Sequence, residues 1–187
     1  MNPIVAKTVR LINCILSPAG ARIVSSQTDR LDMNAALKRI PGHGIRIDNV
    51  IDIGGSTGVW SAMAMEVFPA AAFVAIEPLA EREPSLRSLA QKFPNFSFEL
   101  CAAGETDGGT ATLTVAQDLD GSTINGHGDE TRRVPVRTID AIVEKRNPAG
   151  SFLLKFDTLG YELPILKGAK QTLENTSAVV PKIWTVC

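Results

Sequence analysis

Three short segments carry residue types that can do chemistry at spacings that matter. The first is Asp52-Ile53-Gly54-Gly55-Ser56-Thr57-Gly58. Glycines let a chain turn sharply and let a ligand approach the main chain. A dinucleotide pyrophosphate wants Gly-x-Gly-x-x-Gly, but Ser56 and Val59 stand at the second and third glycine positions. The pattern Asp-x-Gly-x-x-x-Gly suits a ligand without a pyrophosphate, whose positively charged end Asp52 could meet. A plain strand-to-helix turn gives the same glycines. The second is Glu77, 23 residues beyond Gly54. An acid about 20 residues past such a loop can accept both hydroxyls of a ribose, with each charge-assisted bond worth about 1.5–3 kcal/mol. The alternative is a solvated loop glutamate. The third is Lys155-Phe156-Asp157-Thr158-Leu159-Gly160-Tyr161-Glu162, which gathers two carboxylates and a phenol. Asp157 could face the reactive end of a bound cofactor, or it could cap the helix that follows.

These segments need elements to hold them. Asn49–Ile53 is a short apolar run closed by glycines, which suits a buried parallel strand. A helix follows, with Trp60, Met63, Ala64 and Val67 on one face and Pro69 as its stop. Ala72–Ile76 reads as a second buried strand. Glu83-Pro84 opens a helix carrying Leu86, Leu89, Ala90 and Phe93, and Phe96–Leu100 alternates as a third strand. Strand, helix, strand, helix, strand predicts right-handed crossovers, a doubly wound parallel sheet and an α/β fold.

Residues 103–137 break this rhythm with repeated glycines and two strand-like pieces, Thr110–Val115 and Arg133–Arg137. They read as an inserted hairpin or flap with its tip near residues 118–130. Ser151–Phe156 is a fourth buried strand, Tyr161–Leu173 a helix, and Ser177–Val180 the start of a fifth strand. In such a sheet, ligands sit beyond the carboxyl ends of the strands. Asp52, Glu77 and Asp157 would all lie at that edge.

The first 46 residues look like a helical lead-in. Asn2 and Pro3 suit a helix start, with Val5, Val9, Ile12 and Leu16 on one face. A second helix is expected over Asp29–Ile40, ended by Pro41-Gly42. The apolar run Leu11–Leu16 is too short for a secretory signal, which needs at least ~7 apolar residues, and nothing reaches the ~18 that cross a bilayer.

Nineteen basic and twenty acidic residues give a net charge of −1, so there is no global field to draw in nucleic acid or anionic lipid. The three cysteines, Cys14, Cys101 and Cys187, are far apart and odd in number. That argues against a disulfide framework and for a reducing, cytoplasmic setting. Neither histidine, His43 or His127, belongs to a cluster at metal-ligand spacing. Oligomeric state leaves no trace in the sequence.

The three segments together resemble the FkbM family of class I S-adenosylmethionine-dependent methyltransferases. The resemblance covers roughly residues 31–180. It rests on Val50–Gly58, on Ile76-Glu77-Pro78, and above all on Leu154–Glu162 followed by Leu166-Lys167-Gly168-Ala169, with Val134–Asp140 as a weaker match. It implies a Rossmann-like methyltransferase domain over residues 47–187. It implies that Asp52 and Gly54, Gly55, Ser56 and Gly58 surround the methionine part of S-adenosylmethionine, that Glu77 holds the ribose, and that Cys101-Ala102-Ala103 passes beside the adenine. The acceptor it implies is a hydroxyl of a sugar or small metabolite. A base would help such a hydroxyl attack, and Asp157, Glu162 and His127 are the candidates. Methylation of a nucleobase amine is disfavoured, because the Asn-Pro-Pro-aromatic motif is missing after the fourth strand.

The resemblance also implies a seven-stranded sheet, whereas this chain ends within or just after the fifth strand. The last strands are expected to be missing and the domain incomplete at its carboxyl end. A non-catalytic or partner-dependent remnant of such an enzyme is therefore the alternative. A nicotinamide-dependent oxidoreductase is opposed by the loop spacing. Gly54→Val is expected to abolish ligand binding while the fold persists.

Overall fold

The computed structural model describes residues 33–181. The chain divides into two units, one ending at Arg39 and the other beginning at Ile40. Of the first unit, only the start of helix α1, Met33–Gly42, is described. The remainder of the expected lead-in, including the helix near the amino terminus and residues 29–32, lies outside the described residues, as do residues 182–187.

The second unit is built on five parallel strands: β1 (Asn49–Ile53), β2 (Ala72–Ile76), β3 (Phe96–Glu99), β8 (Phe152–Phe156) and β9 (Thr176–Pro181). Their order is β3-β2-β1-β8-β9. The doubly wound, mostly parallel α/β architecture expected from the sequence is what the chain forms. All five residues of β1 and of β8 are buried, as their unbroken apolar runs demand.

Register assigns the side chains to two faces. Ile51, Ile53, Ile76, Leu154 and Phe156 share one face. They pack on Ile139 and Ile142 of α4 (Ile139–Arg146), on Ile165 of α5 (Glu162–Lys167), and on Leu173 of α6 (Lys170–Glu174). Asp52 and Lys155 are direct cross-strand neighbours on the opposite face. There α2 (Val59–Val67) contributes Ser61, which donates to Asp52. The turn into α2 lies against α3 (Glu83–Lys92): at Gly58, φ is +81° and a Cβ would stand 2.8 Å from Leu89.

Two expectations need correction, and one element is additional. The segment before β8 holds helix α4, for which the sequence reading assigned no element. Its signal was Thr138, whose hydroxyl caps the helix by accepting the Ala141 N–H at 3.1 Å. The single helix expected over Tyr161–Leu173 is two, broken at Gly168. A Cβ there would come within 2.0 Å of the Gly104 carbonyl oxygen, and Asp140 caps the second piece by accepting the backbone N–H groups of Gln171 and Thr172.

The inserted flap is also more than a hairpin. β4 (Ala102–Ala103), β5 (Thr110–Thr114), β6 (Thr123–Ile124) and β7 (Thr131–Arg137) form a second sheet in the order β4-β7-β5-β6. Leu79, Ala102, Leu113, Val115 and Val134 are its buried apolar cluster.

Candidate functional site

A cavity of about 380 Å³ opens at the carboxyl ends of β1, β2 and β8, within the ~300–1,000 Å³ usual for small-molecule sites. Gly54, Ser56, Glu77, Ala102 and Asp157 line it, so the structure gathers five of the expected site residues around one space. The flap contributes the facing wall, through Leu113, Leu119, Asp120 and Ile124.

Glu77 follows the last residue of β2 and is 5% exposed. Its Oε2 accepts the Ser56 N–H at 2.8 Å and its Oε1 the Leu79 N–H at 2.9 Å. Ser56 can point its N–H this way because it adopts a left-handed backbone, φ +45°. Burial raises the Glu77 pKa above the ordinary carboxylate value, with the two N–H bonds and the nearby Arg82 charge acting against it. Each oxygen of a carboxylate has two acceptor sites, so one remains on each oxygen.

Asp52 stands beneath the loop, outside the cavity lining. It is fully buried: Lys155 Nζ lies 2.8 Å from Oδ1, and the Ser61 hydroxyl donates to Oδ2 at 2.7 Å. The directed hydrogen bond of Lys155 goes to the Gly54 carbonyl at 2.8 Å, so the approach to Oδ1 is an ion pair without hydrogen-bond alignment. Lys155 also lies 3.6 Å from Asp157 Oδ2 and 5.6 Å from the centre of the Trp60 ring. One buried ammonium thus ties the end of β1 to the end of β8.

The glycines divide by role. At Gly54, φ is +75° and a Cβ would lie 2.2 Å from the Asp157 carbonyl oxygen. That strand-to-strand approach belongs to the fold itself, so Gly54→Val would break the sheet edge and cannot isolate a binding defect as expected. Gly55 is packed against Ala75, and Gly58 against α3. Neither lines the cavity.

Among the other candidates, Glu162 braces the turn that precedes its helix, accepting the Thr158 hydroxyl and the Gly160 N–H, each at 3.1 Å. His127 is exposed on the loop between β6 and β7. Neither residue lines the cavity, whereas Asp157, Thr158 and Tyr161 do. Sequence reasoning missed Ser61, Arg82 and Asp120. Arg82 and Asp120 line the cavity and pair with each other at 2.6 Å. Arg82 comes from a short helical turn, Ala80–Arg82, and Asp120 from an aperiodic loop, so neither left a pattern to find. Among the described residues no group of three or more His, Cys, Asp or Glu could hold a metal ion. No described helix is long and apolar enough to cross a membrane.

A parallel sheet with a glycine loop after its first strand and a buried acid after its second defines a doubly wound α/β domain with its cavity at the strand ends. The family comparison goes further: the model of the methyltransferase FkbM domain matches residues 52–184, and the chain belongs to that family. Two solved structures are similar. One is methyltransferase FkbM from Methylobacillus flagellatus KT, 22% identical with a TM-score of 0.49, covering 68% of this chain and 30% of that one. The other is precorrin-6y C5,15-methyltransferase from Geobacter metallireducens GS-15, 13% identical with a TM-score of 0.43, covering 88% of this chain and 67% of that one. This chain thus spans less than a third of the length of the Methylobacillus protein. No curated protein is significantly similar to it.

Proposed function

We propose that the cavity binds S-adenosylmethionine and that the chain carries the cofactor-binding part of a methyltransferase acting on a hydroxyl of a sugar or other small molecule. Membership of the FkbM family supports methyl transfer, and the observation that carries the cofactor reading is Glu77. Its buried carboxylate lines the cavity and keeps one acceptor site on each oxygen, which suits the two adjacent hydroxyls of a ribose. The apolar side chains of Leu79, Cys101 and Ala102 in the same wall suit a purine. Gly54 and Ser56 would border the methionine end, with Asp52 acting from below through Lys155 to hold the loop.

The cofactor would supply a methyl group on a positively charged sulfur, and in-line displacement there depends mainly on alignment. Asp157, at the cavity wall, would take the proton from an acceptor hydroxyl. Glu162 and His127 do not share that position. The test is calorimetric titration of the 187-residue chain with S-adenosylhomocysteine, with NAD as the control ligand. Saturable binding of the first and not of the second is expected. No binding by a folded chain would overturn the cofactor reading, and binding of NAD would replace it with the oxidoreductase.

A further inference from the structure

We propose that Asp120 is a latch that holds the flap down across the cavity mouth, so that molecules enter and leave the cavity faster when it lets go. The flap has an anchored base and a separate tip. Leu113, Val115 and Val134 bury the base against Leu79 and Ala102. The tip, residues 116–122, is bonded within itself: Leu119 N–H to the Ala116 carbonyl at 2.9 Å, Gly121 N–H to Asp118 at 3.1 Å, and Ala116 N–H to the Ser122 hydroxyl at 3.0 Å. Such a turn can lift as one piece without losing its internal bonds.

Leu119 of the tip packs on the apolar cluster, and the contacts that fasten the tip across the cavity beyond that are polar. One Asp120 oxygen, Oδ1, accepts both the Ser56 hydroxyl at 3.0 Å and the Arg82 guanidinium at 2.6 Å. Ser56 is in the glycine loop and Arg82 follows β2, so a single carboxylate joins the flap to both of those walls. On the far side, Thr123 reaches the Thr158 and Leu159 carbonyls at 3.3 and 3.4 Å. The Asp120 side chain is 68% exposed, and contacts of that kind are weak and screened by salt. A latch must be weak to release on a useful timescale.

This inference deepens the proposed cofactor site, since it says what controls access to it, but its first readout needs no cofactor. Cys101 is 3% exposed and lines the same cavity. Burial pushes its thiol pKa up to about 12, so alkylation is slow, and its rate follows the fraction of time the flap is open. Cys101 is alkylated with iodoacetamide in the 187-residue chain and followed by peptide mass spectrometry, in wild type, Asp120→Asn and Ser56→Ala.

Asp120→Asn should label about fivefold faster, and Ser56→Ala by a smaller factor, both with unchanged thermal midpoints. The difference between wild type and Asp120→Asn should shrink in 1 M salt. Equal rates in wild type and Asp120→Asn would overturn the latch. In a second arm, S-adenosylhomocysteine should associate and dissociate faster from Asp120→Asn by similar factors, because one latch gates both entry and exit. A rise in dissociation alone would make Asp120 a ligand contact and overturn the latch. Faster labelling with no S-adenosylhomocysteine binding to any variant would keep the latch and remove the cofactor reading.

Discussion

Glu77→Gln separates a buried structural carboxylate from one that grips a ribose. In the native site each Glu77 oxygen already accepts one backbone N–H, from Ser56 or from Leu79, leaving one acceptor site on each for the ligand. In the glutamine variant one oxygen becomes an amide NH2, which accepts from neither the backbone nor a hydroxyl. The ligand loses one charge-assisted bond, worth about 1.5–3 kcal/mol, or roughly 10- to 150-fold in affinity. Glu77→Ala should weaken binding at least tenfold. Calorimetric titration with S-adenosylhomocysteine measures this, with circular dichroism confirming that the variant is folded.

The pH dependence adds a second check. Burial raises the Glu77 pKa above its ordinary value of 4.5. As pH falls through the folded value, the carboxyl protonates and ceases to be the charged acceptor, so wild-type affinity should fall while the glutamine variant stays flat. Stability should move the other way. The folded state holds the proton more tightly than the unfolded chain, so the cost of burying the charge is relieved as pH falls from the folded value toward 4.5. A folded Glu77→Gln protein with wild-type affinity, or with the wild-type pH profile, would refute the ribose assignment.

Other substitutions test the scaffold. Gly54→Ala places a Cβ 2.2 Å from the Asp157 carbonyl oxygen at a φ of +75° and should cost at least ~2 kcal/mol in urea unfolding. Gly160→Ala, at a φ of +96° with nothing within 4 Å, should cost only about 1 kcal/mol. Lys155→Met leaves Asp52 charged, buried and unpaired, at about 3–5 kcal/mol; adding Asp52→Asn should recover most of that loss, and strict additivity in the double-mutant cycle would refute the coupling. Thr138→Ala should cost about 1 kcal/mol by removing the cap of α4, measured by thermal unfolding.

Much of this protein was legible in the sequence. The unbroken apolar runs at Asn49–Ile53 and Phe152–Phe156 announced strands buried on both faces, and the alternation with helices announced a parallel sheet. Glycines after the first strand and an acid after the second placed a small-molecule site at one edge. These signals are local: periodicity, composition and spacing within a few tens of residues. Helix α4 also had a local signal in Thr138, which the glycine-rich surroundings obscured.

Tertiary structure decided which polar residues face the cavity. Asp52 read as a ligand contact, yet register sets it beside Lys155, and the pair closes on itself beneath the loop. Gly54 lines the cavity, yet what requires a glycine there is the Asp157 backbone, which takes the space a Cβ would fill. Asp120 reaches Ser56 across 64 residues of sequence, and Gly168 has no room for a side chain because Gly104 passes beside it. Each depends on two distant segments arriving at one place, and a buried charge or close backbone contact is fixed only when both have arrived.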